Sequence, residues 1–260
     1  MASPSSSFDQ VKKEYDTHAG SYNDYVNCPY GQMEEQLMGV ALGNCTGGTV
    51  LDIGGGTGLR ARQVIDLVAA AVDVVDISPE MLRIGEATEP SPKKGVRWFE
   101  ADVSKPLDHL PLDETYDIVM ANWVFDHAHS MAEYEGIWEN VATRLRPGGR
   151  FISVRSDDPY VPCLASWEAP YGMTYHDHQE VPGGVLFRYT IHSEPKMSFE
   201  ACSMHVNYNG STEMFDKFGL VDVKKIPHTE AEVVKNDLEY WKLFLEKPGM
   251  WVVTARKRDE

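Results

Sequence analysis

The stretch Val50-Leu51-Asp52-Ile53-Gly54-Gly55-Gly56-Thr57-Gly58 decides how this chain is read. Aliphatic and β-branched residues of a buried strand run straight into a glycine turn, and helix-type residues follow. Glycines let the backbone come close to a ligand, and the next helix offers unpaired N–H groups at its start. The spacing narrows the ligand. Glycines 54, 56 and 58 make a GxGxG pattern, whereas a dinucleotide fingerprint needs its third glycine one place later, where this chain has Leu59. A dinucleotide is therefore disfavoured, and an NAD(P)-dependent oxidoreductase is kept only as an alternative.

Outward from this stretch, apolar runs alternate with helix-type segments, the signature of βα units and a parallel sheet. Strands are predicted at 49–53, 72–76, 96–100, 116–120 and 150–154. Helices are predicted from Gly58 towards Ala70, from Ser78 with Pro79 in its first position, and from Met131 to Leu145 with Pro147-Gly148-Gly149 as the stop. Phe8 to Leu42 reads as a helical leader carrying Tyr15, Tyr22, Tyr25 and Tyr30. After Val154 the style changes. Pro, Gly, His and aromatics are frequent over 156–210, where alternation at 185–191 and 197–208 predicts a hairpin inserted over the sheet. A helix near 211–218, a strand at 221–226, an amphipathic stretch at 238–245 and a strand at 250–255 complete the chain. The division expected is a core with its leader (1–155), an insertion (156–210) and a closing segment (211–260).

Three carboxylates sharpen the ligand. Asp52 precedes the glycine turn, Asp76 ends the second strand and Asp102 follows the third, so a parallel sheet brings all three to its C-terminal edge, where open α/β sheets bind ligands. Asp76 is placed for ribose hydroxyls, Asp102 for an exocyclic adenine amine and Asp52 for an ammonium. A ribose, an adenine and an amino acid without phosphate describe S-adenosylmethionine.

In order along the chain, Val50 to Gly58, Val75-Asp76-Ile77-Ser78-Pro79-Glu80-Met81-Leu82, Glu100-Ala101-Asp102-Val103, Tyr116 to Asn122 and Leu145-Arg146-Pro147-Gly148-Gly149 resemble the successive motifs of class I S-adenosylmethionine-dependent methyltransferases, over about residues 10 to 155. Tyr15-Asp16-Thr17-His18-Ala19-Gly20-Ser21-Tyr22-Asn23 is similar to the leader of the ubiquinone/menaquinone-type small-molecule branch. Ala121-Asn122-Trp123-Val124-Phe125 and the aromatic insertion look more loosely like the toxoflavin-pathway N-methyltransferases. The resemblance implies an α/β, Rossmann-like, doubly wound, mostly parallel seven-stranded sheet with a lid inserted after the fifth strand. It implies that Gly54 and Gly56 line the methionine part, with Asp52 supporting the turn. Asp76 would hold the ribose, Ile77 and Met81 would sandwich the adenine, and Asp102 with Val103 would read its amine edge. Asn122 would offer its backbone carbonyl to the amino group, and Tyr15 and Tyr22 would cap the site.

The expected activity is methyl transfer to a nitrogen or oxygen of a small aromatic or heterocyclic metabolite, in secondary metabolism. A cofactor-binding protein or cyclase that uses S-adenosylmethionine without transfer is the other alternative. His127, just past the fourth strand, is the candidate base, with Asp126 beside it. Trp123, Tyr171, Tyr175, His176 and Phe187 are candidate acceptor contacts. His127 with His129, and His176 with His178, lack further ligands at metal-site spacing, so no metal is expected.

Composition excludes other classes. Lys and Arg number 24 against 40 Asp and Glu, a net charge of −16 that suits neither nucleic acid nor an anionic membrane. Cys28, Cys45, Cys163 and Cys202 are scattered, as expected of free thiols in a reducing compartment. Met1 to Phe8 has no signal-peptide pattern and no run is long enough to span a membrane, which points to a soluble cytoplasmic protein; a monomer or homodimer is expected, with no sequence feature that chooses between them. The glycosylation patterns at Asn44 and Asn209 are discounted for want of a secretory route.

Overall fold

A computed structural model describes residues 7–88, 95–208 and 210–259 of the chain. Met1 to Ser6 of the serine-rich start and Asn209 lie outside them. The predicted strands form β1 (Thr49–Ile53), β2 (Ala71–Asp76), β3 (Val96–Glu100), β4 (Tyr116–Met120) and β5 (Leu145–Ser156). β6 (Met173–Val181), β7 (Gly184–Ile191) and β8 (Met197–Met204) then make a separate antiparallel sheet, after which β9 (Leu220–Lys225) and β10 (Met250–Lys257) rejoin the first. The large sheet runs β3-β2-β1-β4-β5-β10-β9. It is parallel from β3 to β5, while β10 is antiparallel to both its neighbours.

Successive residues of these strands feed two cores, as a period of two demands. Val50, Val72, Val74, Ile118 and Ile152 pack on one face with Met33, Leu37 and Met38 of the leader helix Pro29–Leu42, and with Ala61 and Val64 of the helix Leu59–Asp66. Leu51, Ile53, Val75, Val119 and Phe151 pack on the other with Tyr134, Ile137, Trp138 and Val141 of the helix Met131–Arg144. The order reverses between β1 and β4. Connections leave these neighbours in opposite directions, which opens a crevice beyond their C-terminal ends. The leader breaks near Gly20 into the helix Ser7–His18 and a 3-10 turn Tyr22–Asn27 before the helix Pro29–Leu42, so its tyrosines are carried on separate elements.

The structure corrects the sequence reading in three places. Pro147-Gly148-Gly149 ends the preceding helix but lies within β5, where the pairing jumps from Tyr116↔Leu145 to Ile118↔Arg150 and Gly148 takes φ 69°. The expected hairpin is a three-stranded sheet, because β6 was hidden by its polar run and by a register shift between His176 and Gln179 at Asp177, φ 55°. The strand expected over 197–208 stops at Met204, and His205–Tyr208 turns helical. No helix among the described residues is long and apolar enough to cross a membrane.

Candidate active site

The glycine turn is tied to β2 from both sides of the crevice. Gly54 and Gly55 donate to the Val75 carbonyl at 2.8 and 3.3 Å, and the Gly56 N–H donates to Asp76 Oδ2 at 2.8 Å. Asp76 Oδ1 accepts from the Ser78 N–H at 2.8 Å, so one carboxylate sets both the turn and the start of the helix Pro79–Thr88. Gly54 is required here. Its φ is 70°, and a Cβ would come within 2.8 Å of the Val124 side chain, which closes down from the segment after β4.

All eleven residues expected to hold the cofactor surround one solvent-open cavity of ≈ 960 Å³ at this crevice: Tyr15, Tyr22, Asp52, Gly54, Gly56, Asp76, Ile77, Met81, Asp102, Val103 and Asn122. Asp52 is 1% exposed, and neither of its oxygens has a hydrogen-bond partner among the described residues. Burial pushes its pKa up to about 7, with Arg60 opposing and Asp76 adding to the rise. Asp76 is raised to about 6 by burial, against the N–H groups of Ser78 and Gly56. A buried carboxylate without a partner is costly, and a cationic ligand relieves that cost. Asp102 Oδ1 accepts from the Ser104 N–H and hydroxyl at 2.9 and 2.7 Å, leaving Oδ2 outside that pair. Asn122 Oδ1 accepts from the Val154 N–H at 3.0 Å, and its Nδ2 is buried without a partner. The orphaned Asp52, the apolar plates Ile77, Met81 and Val103, and the glycine turn without a phosphate cradle fit S-adenosylmethionine.

A second cavity adjoins the first, and Tyr22, Tyr25, Trp123 and His127 line both. Its other walls come from the inward face of the small sheet, including Met173, Tyr175, Phe187, Tyr189, Ile191 and Ala201. At the shared boundary the Tyr15 hydroxyl lies 2.9 Å from His127 Nε2 and 3.0 Å from the Tyr189 hydroxyl. Burial, aided by His129, drops the His127 pKa to about 4, against the Glu200 backbone carbonyl, and its Nδ1 is buried without a partner. The two histidines of the H-x-H pair diverge, His129 Nδ1 meeting the His127 carbonyl at 3.1 Å and Nε2 lying 3.6 Å from Glu200.

Of the expected acceptor contacts, Trp123, Tyr175 and Phe187 line this cavity, whereas Tyr171 and His176 do not. Tyr171 precedes β6 and stacks on Trp241 at 4.9 Å, donating to the Tyr240 carbonyl. His176 faces away from the cavity because neighbours in a strand point to opposite sides; its nitrogens meet the Thr190 hydroxyl and Asp177, and Trp167 covers it.

The sequence reading missed a buried knot beneath both cavities. Glu34 Oε1 accepts from Arg60 Nη2 at 2.6 Å, and Oε2 accepts from Trp123 Nε1 at 2.8 Å and from the Tyr25 hydroxyl. Its trace in the sequence is faint: an acid on the apolar face of the leader helix and an arginine in the first turn after the glycines. Each is ordinary until the fold brings them together. Trp123 reaches this position through a left-handed backbone, φ 61°.

Residues 50–149 match a family described as a methyltransferase domain. This match spans the glycine turn and the strands β1 to β4 that form the crevice. A ubiquinone/menaquinone biosynthesis C-methyltransferase of Ectopseudomonas mendocina is 27% identical over 173 residues, covering 65% of this chain and 63% of that protein. A malonyl-[acyl-carrier protein] O-methyltransferase of Halalkalibacterium halodurans is 36% identical over 77 residues, 29% of this chain and 28% of that protein. The chain thus spans less than two thirds of these curated relatives. Among solved structures, the DhpI-SAM-HEP complex superposes with a TM-score of 0.62 at 20% identity, covering 98% of this chain and 100% of that one. The Burkholderia thailandensis 1,6-didemethyltoxoflavin-N1-methyltransferase, with 1,6-didemethyltoxoflavin and S-adenosylhomocysteine bound, gives 0.56 at 18% identity over 100% and 92%. At these identities the likeness is one of fold. The names of the two sequence relatives give a carbon acceptor for one and an oxygen acceptor for the other.

Proposed function

We propose that this protein transfers a methyl group from S-adenosylmethionine to a nitrogen or oxygen of a small aromatic or heterocyclic metabolite. The observation that carries this reading is Asp52, a buried carboxylate without a partner in a cavity otherwise suited to an adenosyl group. Asp76 would hold the ribose, Ile77 and Met81 the adenine faces, and Asp102 with Val103 its edge. Gly54, Gly56 and Asp52 would meet the methionyl part together with the Asn122 carbonyl. The cofactor supplies a methyl carbon on a sulfonium, open to in-line attack by a lone pair of the acceptor.

The chain's own task is to align and to dry. Tyr15 and Tyr22 lie over the boundary between the cavities, and the small sheet acts as a lid whose aromatic face strips water from the acceptor. His127 is the polar group on that boundary. With its pKa lowered to about 4 it is neutral at physiological pH and a weak base, which suits it to accept a hydrogen bond from the acceptor's N–H or O–H and orient it. Incubating the purified protein with methyl-labelled S-adenosylmethionine and a metabolite extract tests the reading. A labelled small molecule is expected; tight NAD binding without S-adenosylhomocysteine binding would overturn it.

A further inference from the structure

The second cavity differs from ordinary ligand sites in what its walls lack. Among the described residues that line it there is no Lys or Arg. Its one carboxylate, Asp126, is already hydrogen-bonded through both oxygens: Oδ1 accepts from the Ser156 hydroxyl and Asn207 Nδ2, and Oδ2 from the Ser156 N–H. The nearby cations are committed elsewhere. Arg155 donates to Tyr134 and Asn207 and lies over the rings of Phe125 and Phe215, Arg188 pairs with Glu14 at 3.0 Å, and Arg60 pairs with Glu34. The remaining titratable walls are tyrosines and His127, and burial holds each towards its uncharged form. An anion enclosed here would find no counter-charge in the walls and would lose its water, at a cost of several kcal/mol.

Resting on the methyl-transfer reading, we infer that this cavity is the acceptor subsite and that it selects an uncharged, planar aromatic acceptor, excluding carboxylated and phosphorylated ones. The flat rings lie among Tyr175, Phe187 and Ile191, and the single polar end meets His127 and Tyr15 at the boundary shared with the cofactor cavity. Phe187 and Ala201 face each other across β7 and β8 and set how large the ring system can be.

Calorimetry on the full chain saturated with S-adenosylhomocysteine tests this with four probes: 2-naphthol, quinoline, 2-naphthoate and 2-naphthylmethylammonium. The two neutral probes are expected to bind, and the two ions at least about tenfold more weakly. Ala201→Leu, which narrows the cavity, and Phe187→Ala, which removes an aromatic wall, should each weaken the neutral probes by about tenfold while S-adenosylhomocysteine affinity stays within about twofold. Having two variants guards against one that does not fold. Failure of both neutral probes to bind, an ion binding as tightly as 2-naphthol, or unchanged probe affinity in both folded variants would overturn the inference while the methyl-transfer reading stood. Loss of S-adenosylhomocysteine binding by the unaltered protein would instead remove that reading.

Discussion

The two adjoining cavities are built on opposite electrostatic plans. The first collects Asp52 and Asp76, both buried and both pushed towards protonation by that burial. The second keeps His127 and its tyrosines uncharged and ties Asp126 into neighbouring donors. One awaits charge and the other refuses it. Such a division suits a reaction in which a sulfonium must be stabilised in one place and a neutral nucleophile desolvated beside it.

The contrast can be broken by substitution. The largest effect is expected from Asp76→Ala, which removes the carboxylate proposed to hold the ribose and frees Gly56 and Ser78; S-adenosylhomocysteine affinity should fall by about a hundredfold or more in titration calorimetry. A change of less than about threefold would mean that the first cavity does not take the nucleoside. Tyr15→Phe keeps the ring and deletes the hydroxyl that joins His127 to Tyr189. Turnover of labelled methyl should drop by about tenfold with cofactor affinity little changed. The reverse pattern would assign Tyr15 to the cofactor side.

A subtler effect concerns protons. A cationic ligand beside Asp52 should lower a pKa now at about 7, so S-adenosylmethionine binding near neutral pH should release a proton, read as a dependence of the binding enthalpy on buffer ionisation. Asp52→Asn should abolish that dependence.

The smallest expected effect is on stability. His127 has a folded pKa of about 4 against an ordinary 6.5, so between these values the unfolded chain binds more protons, and His127 costs stability as pH falls through this window. Asp52 and Asp76 have folded pKa values above their ordinary 3.8, so they favour the folded state at low pH and give up that stability as pH rises towards 6 and 7. The two windows overlap with opposite sign, so His127→Gln should lessen the loss of melting temperature as pH falls through them, and Asp52→Asn should lessen the loss as pH rises. Buried His228, also lowered to about 4, will leave part of the acid slope in place.

The cofactor cavity was legible in the sequence because each of its main groups sits within a few residues of a strand end. Once β1 to β4 lie parallel, their C-termini converge whatever else the chain does, and Asp52, Asp76, Asp102 and Asn122 follow. The second cavity was only half legible. Tyr175 and Phe187 were expected there, but Tyr189, Ile191 and Ala201 depend on the pairing of β7 with β6 and β8. His176 was misplaced for the same reason: without β6, nothing separated it from Tyr175.

Local pattern alone determined a parallel α/β sheet, its glycine turn and the acids at its edge, since hydrophobic period and strand-end position are short-range properties. Only the tertiary structure decided that Glu34 would meet Arg60 and Trp123, that Tyr15 would reach His127, and that the wall of the second cavity would be free of positive charge. Those contacts join residues far apart along the chain. Their partners are chosen by strand register and by which face of an element is buried, and neither is written in any one segment.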